Sequence, residues 1–128
     1  MKTYFADANI FLRLALEDNK QFANKAAKYF TQSKEGKIKL IFTSEIIVEI
    51  IYVLLKVYSV PKIEIIEKIS TLVKTPYLEI PKRKTLLNSL DIYQKYSVDF
   101  VDALLFNYAK ENNSEVLSFD EDFNKITS

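Results

Sequence analysis

Lys2–Asn9, KTYFADAN, sets a short run of β-forming residues directly against an aspartate. Thr3, Tyr4 and Phe5 favour a strand over Lys2–Ala6, and Asp7 stops it. Ile10, Phe11 and Leu14 then begin helical spacing that runs to about Leu16. A strand followed at once by a helix is the start of a βα unit, and the pattern recurs along the chain.

Asn19 is placed to cap a second helix over Lys20–Ser33, with Phe22, Ala23, Ala26, Ala27 and Phe30 on its inner face. Gly36, the only glycine, falls where a helix C-terminus needs a positive φ. Leu40–Thr43 is expected to form the second strand, and Ser44 to cap a helix that reaches Tyr58 before Pro61. Lys62–Lys74 is a further helix, with Ile65, Ile66, Ile69, Leu72 and Val73 facing inward. Tyr77–Ile80, between Pro76 and Pro81, is a short strand. Helices over Lys82–Lys95 and Val98–Asn112 follow, Asn112–Asn113 supply a turn, and Val116–Phe119 is the last strand. Strands alternating with helices predict an α/β domain over residues 1–128, with a central parallel sheet wrapped by helices.

Composition limits the chemistry. The 128 residues are 48% hydrophobic and 27% charged, enough for one core and against disorder. The longest apolar run, Ile50–Leu55, is too short to cross a bilayer. Asp7 interrupts the N-terminal apolar stretch, so no signal peptide is expected and the cytoplasm is the default compartment. The net charge of +1 gives no global field for nucleic acid. Lys82-Arg83-Lys84 and Lys34, Lys37 and Lys39 are local basic patches at most. The chain has no cysteine and no histidine. Thiol nucleophiles, thiolate zinc sites and histidine general bases are therefore excluded. Hydrolysis must rest on carboxylates, with a hard cation that prefers oxygen ligands.

The acids fall in a pattern. Asp7 ends the first strand and Asp120 follows the last, at the sheet edge where open parallel sheets bind ligands. Glu45 and Glu49 lie one turn apart, and Asp99 and Asp102 share one face at the start of the sixth helix. Asp7, Asp99 and Asp120 could each be a helix cap, and Asp102 suits a first turn. Glu49 has no capping role, lying between Ile46-Ile47-Val48 and Ile50-Ile51. Four acids converging on one edge would repel and hold their protons unless a divalent ion, magnesium or manganese, lay between them.

Competing motifs fit less well. Asp120-Glu121-Asp122-Phe123-Asn124 begins like a calcium loop, but Lys125 stands where that loop requires glycine. Asp7-Ala8-Asn9 suits an aspartate-nucleophile phosphatase, whose second aspartate is missing. A response-regulator receiver would need a mid-chain phosphoacceptor aspartate, and Leu40–Val60 has none.

Four blocks, in order, resemble the PIN-domain family, and among its members the VapC-type toxin ribonucleases of toxin–antitoxin modules. They are YFADANIFLRLALEDN, TSEIIVEIIYVL, SVDFVDALLFNYA and VLSFDEDFNKI. The resemblance implies a three-layer α/β/α sandwich with a central parallel sheet of four to five strands. It implies metal-dependent RNA cleavage that leaves a 5′-phosphate and a 3′-hydroxyl. Its acids correspond to Asp7, Glu49, Asp102 and Asp120, with Mg2+ or Mn2+ held by Asp7, Asp102 and Asp120 and by Glu49 directly or through water. Asp99 and Asp122 are companion acids, Asn9 and Ser118 neutral orienting groups, and Arg13 a phosphate contact or an ion-pair partner. The implied partners are RNA, a small antitoxin protein and a second copy in a homodimer, with no membrane. The apolar helix bearing Tyr52, Leu55 and Tyr58 is the expected dimer surface, and a groove by the first two helices the antitoxin's. A PIN-like binding or scaffold module that no longer cleaves is the alternative.

Overall fold

The computed structural model describes residues 1–16 and 18–126. Strand β1, Lys2–Phe5, leads through helices α1, Ala8–Leu16, and α2, Lys20–Lys34, to strand β2, Ile38–Ile41. Helices α3, Ser44–Lys56, α4, Lys62–Lys74, α5, Arg83–Lys95, and α6, Phe100–Glu111, follow, then a 3-10 turn over Glu121–Lys125. The two strands are parallel, with Lys2 beside Ile38 and Phe5 beside Ile41.

Local chemistry places most boundaries. The Asn19 side chain accepts from the Phe22 N–H and opens α2. Gly36 takes φ +77 after that helix, and Asn113 takes φ 51 after α6. Thr43 rather than Ser44 is the N-cap of α3, without a side-chain bond, and the helix stops at Lys56, short of Tyr58. Ser59 turns the chain there with φ 52, and the Val60 N–H closes onto the Leu54 carbonyl.

The core is one cluster joining α1, α3, α4, α5, α6 and the sheet region, with α2 packed against it through Phe30, and with Phe42, Ile47, Ile50, Leu54, Ile65, Ile69, Val73 and Leu86 fully buried. All five inward residues expected on α4 are buried. On α2 only Ala26 of the expected face is buried and Phe22 is exposed, while Phe30 stacks on Phe42 just beyond β2. Arg83 is structural: its guanidinium donates to the Thr75 and Leu78 carbonyls and ties the start of α5 to the loop before it.

The fold is α/β and rich in helix, but the expected sheet of four to five strands has only two among the described residues. Tyr77–Ile80 contributes a single bridge, Glu79 to Ile41, because Pro76 and Pro81 confine it on both sides. Val116–Phe119 forms no strand. Val116 and Leu117 line a shallow groove with Leu105 and Tyr108 of α6, while Leu117 and Phe119 are fully exposed. Among the described residues no strand pairs with the edge of β1 away from β2, and Phe5 is 72% exposed. No helix is long and apolar enough to cross a membrane among the described residues.

Candidate active site

The acids fall into two groups. Asp102, Asp120 and Asp122 each bring a carboxylate oxygen within 4.8 Å of the others'. Asp7 and Glu49 line a separate cleft of about 490 Å3 between α1 and α3, with Asn9, Arg13 and Tyr58.

Capping positions three of these acids. Asp99 caps α6, accepting from the Asp102 N–H at 2.8 Å. Asp120 caps the 3-10 turn, accepting from the Asp122 N–H at 2.9 Å. Asp7 accepts from the Asn9 N–H at 2.9 Å where α1 begins. Each of these bonds uses one carboxylate oxygen. Ser118 holds the backbone rather than an acid: its hydroxyl accepts from the Asp120 N–H. Asp102 and Glu49 have no cap to serve. Asp102 is half-buried at the start of α6, whereas Glu49 is exposed on the cleft wall despite its apolar neighbours.

Burial, then the nearby Asp99, Asp120 and Asp122, raise the Asp102 carboxyl above its ordinary range. Lys125 offsets part of this charge through Asp122 at 3.0 Å. Asp102 and Asp120 have no salt bridge among the described residues. Three crowded carboxylates that share Lys125 as a partner through Asp122 and offer oxygen alone suit a small hard divalent ion such as Mg2+ or Mn2+.

Arg13 is engaged. One terminal nitrogen donates to both Asp18 oxygens at 2.9 Å, and the other to the Tyr58 hydroxyl at 3.3 Å. Both Asp18 and Tyr58 escaped the sequence reading as parts of this site. Asp18, five residues beyond Arg13, was detectable as a local ion pair; Tyr58, 45 residues away, was not.

The chain matches the family model of the PIN domain over residues 4–128. It belongs to the PIN-domain family. A search of curated proteins finds no match, and neither does a search of solved structures. PIN domains are in general metal-dependent nucleases that use acidic residues, and the Asp102, Asp120 and Asp122 cluster is compatible with that chemistry.

Proposed function

We propose that this PIN domain, one nuclease domain over residues 1–128, is an endoribonuclease that uses Mg2+ or Mn2+. In this reading it is the toxin of a toxin–antitoxin module and works in the cytoplasm. The observation that carries the proposal is the Asp102, Asp120 and Asp122 cluster in a chain with no histidine or cysteine. Asp102 and Asp120 are the proposed metal ligands of α6 and the C-terminal turn, with Asp122 beside them. Asp7 and Glu49 are the ligands on the α1–α3 side. When bound, the ion would supply charge neutralisation at the scissile phosphate and an acidified water. Asp99 and Asp120 keep the cluster in place through their backbone bonds, and Asn9 orients the Asp7 side.

The same reading gives the sheet its further strands. Val116–Phe119 would add to the open edge of β1, extending the three-layer sandwich toward four to five strands and carrying Asp120 toward Asp7. The fully exposed Leu117 and Phe119 and the open Phe5 support this. A homodimer is supported by a groove of about 190 Å3 between α3 and α6, flanked by exposed Tyr52 and Val101. The antitoxin's basic side chain would reach the acids from the α1–α2 side.

The test is cleavage of RNA with magnesium or manganese, beside a chelator control and the Asp7→Asn and Asp102→Asn variants. Each substitution should lower cleavage by at least about a hundredfold, beyond the loss typical of groups that merely orient ligands. Full activity in chelator, or equal cleavage of duplex DNA at matched salt, would refute the proposal.

A further inference from the structure

The α1–α3 cleft has two chemically different ends. Asp7, Asn9 and Glu49 make one acidic and polar; Arg13, Val53, Val57 and Tyr58 make the other cationic and aromatic. Asn9 and Arg13 are one helical turn apart, roughly 6 Å along α1. Arg13 is the one cation among the cleft's described lining residues.

Both groups at this end are held but still accessible. The Arg13 side chain is 25% exposed, and its pair with the exposed Asp18 is of a kind that contributes little stability. A phosphate accepts from the same guanidinium fork and can take the place of Asp18. Tyr58 is 39% exposed. Its backbone is fixed by the turn that ends α3, where the Val57 and Tyr58 N–H groups both donate to the Val53 carbonyl. The next residue, Ser59, sits at φ 52, a region that glycine or asparagine occupies at lower cost. The Arg13 bond then fixes the phenol end of the ring. A pinned aromatic face beside a guanidinium fits an unpaired nucleotide: the base stacks, the phosphate pairs.

We propose that Tyr58 and Arg13 form a nucleotide-recognition subsite, in which Tyr58 stacks on one unpaired base of the RNA and Arg13 binds the adjoining phosphate. The subsite rests on the ribonuclease reading and assigns its substrate contact: single-stranded RNA, because a duplex hides its base faces in the stack.

Binding is measured by fluorescence anisotropy with a labelled single-stranded RNA dodecamer, in the Asp102→Asn protein so that the strand stays uncut. Adding Tyr58→Ala should weaken binding about tenfold, whereas Tyr58→Phe, which keeps the ring, should stay within about twofold. In the cleaving protein Tyr58→Ala should raise KM and leave kcat nearly unchanged. Parental affinity in Tyr58→Ala would overturn the subsite. So would an equal loss in Tyr58→Phe, which would show Tyr58 acting only as a hydrogen-bond partner of Arg13. Cleavage that stops with Asp102→Asn while Tyr58→Ala is neutral would sink the subsite alone. No RNA binding by the parent protein would sink both readings.

Discussion

β1 and β2 have the same length and pair with each other, yet their surroundings are opposite. β2 is covered: Leu40 and Ile41 are buried, and Phe42 just beyond is fully enclosed. β1 has three exposed residues of four, and Phe5 is 72% exposed at an edge with no neighbouring strand among the described residues. The same contrast extends to the segments beyond. α4 buries Ile65, Ile69 and Val73 completely, whereas Leu117 and Phe119 lie wholly in solvent. The acids straddle this divide. Glu49 and Asp102 are carried on helices that pack into the core, while Asp7 follows the open strand and Asp120 the exposed segment. One side of the molecule provides a fixed frame that reaches Asp7 through the buried Ala6 and Ala8, and the other carries Asp120 after a segment that little packing holds.

Hydrogen exchange gives the largest contrast. In chelator, α4 amides should exchange only through global unfolding, roughly 5 kcal/mol or more, while residues 115–119 exchange almost unprotected. Equal protection of both would break the comparison. New protection in 115–119 and β1 on adding manganese would sharpen it, showing the C-terminal segment joining the sheet.

Core truncation comes next. Ile69→Ala should cost about 2–5 kcal/mol by urea denaturation, because the fully buried site cannot collapse around the lost atoms. Leu117→Ala should stay within about 0.5 kcal/mol, since that side chain is already in water. A Leu117→Ala loss near that of Ile69→Ala would mean that the segment is packed in solution.

The smallest effect concerns charge. The folded state raises the Asp102 carboxyl, so it holds that proton more tightly than the unfolded chain does. The metal-free protein should therefore lose stability as pH climbs from the ordinary carboxylate range through the raised value. Asp102→Asn removes that dependence, giving a slightly higher Tm in chelator at neutral pH and no gain at acid pH. A large Tm loss at neutral pH would instead make Asp102 a structural group.

Much of this was legible from local residues. Asn19 as a cap, Gly36 at positive φ and the inward stripe of α4 follow from rules that act within a turn or two. Val116–Phe119 shows the limit. Its composition favours a strand, but a strand exists only where an edge accepts it, and Leu117 and Phe119 stand in solvent instead. Glu49 shows it too: Ile47, Ile50 and Ile51 turn into the core, while Glu49 is exposed on the cleft wall beside Ile46.

By itself the sequence determined the kind of chemistry available, since without histidine or cysteine only oxygen donors remain for a metal. It also determined why Asp7, Asp99 and Asp120 stand where they do, because a short carboxylate accepts from an N–H two or three residues ahead whatever the distant packing. Only the tertiary structure decided which acids meet. Asp102 lies beside Asp120 and Asp122, and Asp7 shares its cleft with Glu49, Arg13 and Tyr58. Those meetings depend on how helices pack and loops close across tens of residues, and no local preference encodes them.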